Sequence, residues 1–169
     1  GPTASSWVCR SASPSPKATE AMRLLESADP YQRQLGFLRL EALREASTVD
    51  TITRYLDSPD VETRAYSLRA LAAIEGVSAV PLLLERLRQD RDPRVRRAAL
   101  LGLEPFQPHH PEILPAFLKA LRDRSTEVRI AAVDVVSRID DPRAREAILM
   151  RNKRERRKDV RRVLKLALQ

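Results

Sequence analysis

The sequence predicts an all-α fold, a right-handed α-solenoid of five stacked helix pairs. Three observations carry that prediction. Arg33, Arg64, Arg96, Arg129 and Arg161 recur at intervals of 31, 32, 33 and 32 residues, and a fixed period of this size marks a stacked repeat protein. Leucine, alanine, arginine and glutamate dominate, all strong helix formers, while Gly is held to 4 residues. The prolines sit as punctuation: Pro30, Pro59, Pro93 and Pro142 follow Asp29, Ser58, Asp92 and Asp141, the cap-then-proline arrangement of a helix start.

The chain opens with Gly1-Pro2, which reads as a cloning-protease scar. Residues 3–16 are Ser-, Pro- and Ala-rich without apolar period and read as disordered linker. The solenoid is expected over 17–169, with repeats near 17–46, 47–76, 77–107, 108–140 and 141–169. The first helix of each pair is placed at 17–28, 48–57, 77–89, 110–122 and 142–151. Val80, Leu83, Leu84 and Leu87 mark the apolar stripe of the third, and Leu114, Phe117, Leu118 and Leu121 that of the fourth. Pro81 and Pro115 fall within the first turn or so, where proline is tolerated.

The second helices are aligned on the residue before each periodic arginine: Gln32, Thr63, Val95, Val128 and Val160. Eight residues on come Leu40, Leu71, Leu103, Val136 and Leu168; eleven on come Leu43, Ile74, Phe106 and Ile139. Offsets 0, 4, 8 and 11 share one helical face, so these residues should face the core. No pair could bury that face alone, and stacking supplies the rest.

The run Leu87-Arg88-Gln89-Asp90-Arg91-Asp92-Pro93-Arg94-Val95-Arg96-Arg97-Ala98-Ala99 resembles the HEAT-repeat family motif, in which a Leu-rich first helix and an Asp/Pro turn precede Val-Arg-x-x-Ala on the second. Leu121 to Arg129 fits nearly as well. The short period resembles the phycobilisome-lyase-like subtype. The first repeat departs most, with Gln32 for Val and Arg39 where the others are small or apolar, as expected of a cap. The resemblance implies that a turn carboxylate meets each periodic arginine between neighbouring repeats. Asp57, Asp90 and Asp123 are the expected partners, with Asp29 a candidate in the first repeat. The ladder of Arg33, Arg64, Arg96, Arg129 and Arg161 is therefore expected to be structural rather than a phosphate strip.

In such an architecture the second helices line the concave side, with offsets two, six and nine towards solvent. Leu38, Arg69, Arg97, Leu101, Ile130, Asp134 and Arg162 lie in these columns. Apolar residues ringed by charge suit a protein partner, an acidic one given Arg69, Arg97 and Arg162; inter-helix packing is the alternative. From Arg143 to Arg162 ten cations face three acids, giving +7 of the chain's +8. The patch Arg151, Lys153, Arg154, Arg156, Arg157 and Lys158 could take nucleic acid, an anionic membrane surface or an acidic protein, or be a solvated face. It holds no aromatic for base stacking.

Catalysis finds little support. His109 and His110 are adjacent in a Pro-bounded loop, and there is no phosphate loop, nucleophile elbow or zinc spacing. HEAT-like DNA glycosylases use aromatic and acidic groups in the groove. Here Trp7 lies in the tail, Tyr66 falls at a packing offset and Asp134 stands alone. No metal, cofactor or catalytic residue is expected. Cys9 is the lone cysteine and excludes an intrachain disulfide. No apolar run approaches the ~18 residues of a membrane span, and a cytoplasmic setting is expected, with a leader or domain removed upstream. The helix over Val163 to Gln169 lacks a covering repeat, so self-association, another domain or further chain should hide its apolar face. The expected function is a non-enzymatic scaffold or adaptor binding a protein on its concave face; the alternatives are an anion-binding module through the basic repeat and an accessory subunit of a lyase-type enzyme.

Overall fold

The computed structural model describes residues 12–169, so Gly1-Pro2, Trp7, Cys9 and most of the expected linker lie outside the described residues. Among those described, every regular element is helical, and ten α-helices form five antiparallel pairs. The chain divides into two compact units, one ending at Gly76 and one running from Val77 to Gln169.

The first unit holds two pairs. Helices α1 (Pro16–Leu24) and α2 (Pro30–Leu43) form one. In the other, α3 (Val49–Thr53) is flanked by 3-10 turns and precedes α4 (Val61–Glu75). Asp29 caps α2 by accepting the Tyr31 N–H at 2.9 Å; that capping role, not an inter-repeat pair, is where its carboxylate is used. The expectation for Pro59 is corrected. Helix α4 starts at Val61 with Asp60 as its N-cap, because Asp60 accepts both the Thr63 N–H and Oγ1–H, at 3.0 and 2.6 Å. Pro59 therefore lies before the helix. Packing needs Gly36: a Cβ there would fall 2.8 Å from the Ala21 carbonyl oxygen and 2.9 Å from Leu25 Cδ2. Around it Ala18, Ala21, Leu25, Phe37, Leu40, Ile52 and Leu71 are buried. The Phe37 ring meets Tyr55 edge-on at 5.5 Å.

The second unit holds three pairs: α5 (Val80–Gln89) with α6 (Pro93–Leu103), α7 (Ile113–Ala120) with α8 (Thr126–Ser137), and α9 (Pro142–Arg154) with α10 (Lys158–Ala167). Asp92 and Asp141 cap α6 and α9, each with proline at the first helical position. Helix α8 packs on α6 and on α10, so the three second helices lie side by side. Val95, Leu103, Val128, Val136 and Val160 are buried at the expected offsets, as are Val80, Leu83, Leu84 and Leu87 of the α5 stripe and Leu114, Phe117 and Leu121 of the next, while Leu118 is half-buried. Each large aliphatic or aromatic group so removed from water favours the fold by roughly 1.5–3 kcal/mol.

One segment is more apolar than the sequence pattern suggests. The stretch Val61–Gln89 reaches a mean hydropathy of 1.5 over a window long enough to cross a membrane. Its backbone does not continue as one helix. Gly76, at φ 57°, closes α4 by donating its N–H to the Ala72 carbonyl, a conformation that favours glycine. The resulting helices of 15 and 10 residues are each shorter than the ~20 needed to span.

Candidate partner-binding faces

Four of the five periodic arginines share one geometry. Nη1 donates to the carbonyl six residues earlier: Arg33 to Ser27 at 3.0 Å, Arg64 to Ser58 at 2.8 Å, Arg96 to Asp90 at 2.9 Å and Arg129 to Asp123 at 2.8 Å. For Arg33, Arg96 and Arg129 the other edge of the guanidinium faces a carboxylate of the next repeat. Arg96 Nε and Nη2 donate to Asp123 at 3.0 and 2.9 Å; Arg129 Nε and Nη2 donate to Glu155 at 2.9 and 3.1 Å. In the first repeat Arg33 lies 3.8 Å from Asp60. Arg33, Arg96 and Arg129 thus each tie their own turn to a neighbour's within one unit, and a planar fork suits both jobs.

Glu155 is the partner the sequence reading missed. In the sequence it stands as one acid in a basic run, although Asp57, Asp90, Asp123 and Glu155 keep strides of 33, 33 and 32 residues. Its side chain is buried and also accepts from Arg151 Nε at 3.0 Å and the Arg157 N–H at 3.2 Å. Burial pushes its carboxyl up; the bonds from Arg129 and Arg157, with the charges of Arg129 and Arg151, outweigh that and hold it below the usual value. Asp60 was missed as well, because it serves first as a helix cap. Asp57 is exposed at the end of a 3-10 turn, and Asp90 is buried and accepts the Asp92 N–H at 2.9 Å. Arg161 departs from the ladder in being exposed. With Asn152, Lys158, Arg162 and Lys165 it lines a hollow of about 600 Å³.

The second helices carry a different surface. In the first unit Leu38 is exposed, and Arg69 sits 5.6 Å over the Tyr66 ring and 3.6 Å from Glu41, so its charge is shared with its own unit. In the second unit the register of α6, α8 and α10 sets Arg97, Ile130 and Arg162 in one column, and Leu101, Asp134 and Leu166 in the next. Asp134 is already engaged: Arg138 bridges it at 2.8 Å to Glu104 at 2.6 Å, tying α8 to the end of α6. Those bonds, donated to Glu104 and to Asp134, raise the Arg138 pKa, the one to Glu104 the more. Arg97 and Arg162 are exposed with no ion pair among the described residues, while Leu101 is 37% and Leu166 63% exposed. Ile130 is half-buried. The face therefore offers two guanidinium groups and two leucines around a Glu104–Arg138–Asp134 bridge in which one guanidinium is shared by two carboxylates.

Two cations of the basic stretch face carboxylates of their own repeat. Arg151 is bound to Glu155, and Arg157 lies 3.6 Å from Asp159. Lys153, Arg154, Arg156 and Lys158 remain exposed without an ion pair among the described residues. Arg154 and Arg151 edge a hollow of about 440 Å³ between α7 and α9, whereas Lys158 belongs to the hollow around Arg161. His110 Nδ1 lies 3.6 Å from Glu112. Among the described residues no three His, Cys, Asp or Glu side chains group as metal ligands.

A sequence profile of HEAT repeats matches residues 19–104 and 80–169. A phycobilisome maturation protein of Synechococcus elongatus is 48% identical over 52 residues, which are 31% of this chain and 25% of that protein. The chain thus matches about a quarter of the length of that curated relative. Among solved structures, a chain of the complex of CpcE and CpcF of phycocyanin lyase from Nostoc sp. PCC7120 superposes with a TM-score of 0.73 at 23% identity, over 90% of this chain and 98% of that one. A designed armadillo repeat protein in complex with the peptide (KR)4 superposes with a TM-score of 0.57 at 16% identity, over 89% and 80%.

Proposed function

The chain belongs to the HEAT-repeat family, and on that premise we propose that it is a protein-binding accessory subunit of the phycocyanin-lyase type, which engages its partner through the exposed face of α6, α8 and α10. The observation that carries the protein-binding reading is the pairing of exposed Leu101 and Leu166 with Arg97 and Arg162, which have no ion pair among the described residues, on that face. Leucines give apolar contact area, and desolvated arginines select carboxylates on the partner. The Glu104–Arg138–Asp134 bridge fixes the surface between them, so little is ordered on binding. The class of partner is supported by the likeness to a phycobilisome maturation protein and to a chain of a two-protein phycocyanin lyase complex.

The test is co-expression with a helical-repeat lyase subunit from the same genome and, separately, mixing with phycocyanin, read by size-exclusion chromatography with light scattering. A complex with one of them is expected. Leu101→Glu combined with Arg97→Glu should weaken it by about a hundredfold, given hot-spot losses of ~2–3 kcal/mol. Absence of a complex with either protein would remove the lyase-type reading. A complex indifferent to these substitutions would remove the second-helix face.

A further inference from the structure

On the opposite side of the second unit, we propose a separate docking site for an extended acidic peptide that carries two apolar anchors. It is independent of the second-helix reading, because it is built from the first helices α5, α7 and α9. Two hollows lie there in a row, about 440 Å³ between α7 and α9 and about 400 Å³ between α5 and α7. The first has an apolar floor of Leu118, Leu121, Ala147 and Met150, and Met150 is 46% exposed, a flexible side chain well suited to a docking surface. Lys119 and Arg122 line both hollows and form the ridge between them.

Charge names the occupant. Of the cations around the first hollow, Arg151 is used by Glu155. Lys119, Arg122 and Arg154 are exposed with no ion pair among the described residues. The lone acid in the row, Asp123, has both oxygens bonded to Arg96. The groove is thus apolar below and positive above, which calls for carboxylates flanking aliphatic or aromatic side chains. Its lining holds no aromatic residue on which a nucleic-acid base could stack.

Spacing names the conformation. Neighbouring packed helices lie about 8–10 Å apart. A polyproline-II segment rises about 3.1 Å per residue with three residues per turn, so positions i and i+3 share a face about 9 Å apart. Anchors at i and i+3 would enter the two hollows while acids at i+1 and i+2 cross Lys119 and Arg122.

A fluorescein-labelled octapeptide, Asp-Glu-Leu-Asp-Glu-Phe-Asp-Glu, titrated with the full chain and followed by fluorescence polarisation, tests this. Saturable binding is expected, lost when the acids are replaced by lysine or the two anchors by serine. Met150→Glu and Lys119→Glu, both at exposed positions, should each weaken it about tenfold, near 1.4 kcal/mol, while Leu101→Glu on the other face should leave it unchanged. No saturable binding, equal binding of the lysine peptide, or indifference to both Met150→Glu and Lys119→Glu would overturn the proposal. So would Met150-dependent co-sedimentation with phosphatidylglycerol vesicles in the absence of peptide binding, which would assign the groove to a membrane surface.

Discussion

Replacing Glu155 by alanine puts the arginine ladder under the most direct strain. The carboxylate receives four donors: Arg129 Nε and Nη2, Arg151 Nε and the Arg157 N–H. Without it, Arg129 keeps its bond to the Asp123 carbonyl but loses its counter-charge while 9% exposed. Breaking a buried pair by removing one partner costs about 3–5 kcal/mol; the surviving carbonyl bond argues for the lower end, about 3 kcal/mol. For a chain of 169 residues each kcal/mol moves the midpoint about 2–4 °C, so Tm should fall by about 6–12 °C. Circular dichroism at 222 nm reads the melt, and the Arg129→Ala and double variants complete a cycle with a coupling of about 1–3 kcal/mol. Arg161→Ala, whose guanidinium is exposed, should stay within about 0.5 kcal/mol of the parent. A loss below ~1 kcal/mol for Glu155→Ala, the range of an exposed pair, would refute the claim that this arginine fastens one repeat to the next.

The same carboxylate sets an acid limit. Its folded pKa lies below the ordinary 4.5, so its contribution is present above that value and lost as pH falls through the folded pKa. The urea midpoints of the parent and Glu155→Gln should differ by a constant amount above about pH 6 and converge below pH 4.5; a gap that widened in acid would contradict this. Gly36→Ala should destabilise by about 1–3 kcal/mol despite alanine's better helix propensity, because a backbone oxygen 2.8 Å from the new Cβ cannot yield without moving α1. A raised Tm would show the crossing to be looser than drawn. Arg44 ends α2 at φ 53°, donating its N–H to the Leu40 carbonyl at 3.1 Å. Arg44→Gly relieves a left-handed conformation and should gain about 0.5–1 kcal/mol in chemical denaturation; a loss would mean that the Arg44 side chain stabilises the cap.

The helix pairs were legible because the period recurs and because capping agrees with it at α2, α6 and α9. Asp92-Pro93 and Asp141-Pro142 mark helix starts at the residue. Ser58-Pro59 misled because Asp60 and Thr63 outcompete it with two hydrogen bonds. The ladder's arginines stood out because arginine recurs at every step. Their partners were harder to see: Glu155 breaks the Asp pattern by one methylene and hides among cations, yet its stride is intact. On the second-helix face, exposure at offset six followed from helical period, and Leu38, Arg69, Leu101, Asp134 and Leu166 are all exposed. That Arg69 is engaged by Glu41, and Asp134 by Arg138, depends on side-chain reach between neighbouring helices, which spacing alone does not encode. The groove between α7 and α9 is likewise a product of packing: Leu118 and Met150 lie 32 residues apart and become one floor only when the first helices stack.

Hydrogen exchange of the chain, alone and in complex with a helical-repeat lyase subunit, measures directly whether the second helices are the partner-binding surface. Local opening governs exchange, so docking slows it where the partner sits. Slowed exchange across α6, α8 and α10, abolished by Leu101→Glu with Arg97→Glu, is the predicted result. Slowing confined to other helices, or none in a complex shown to form, would contradict it.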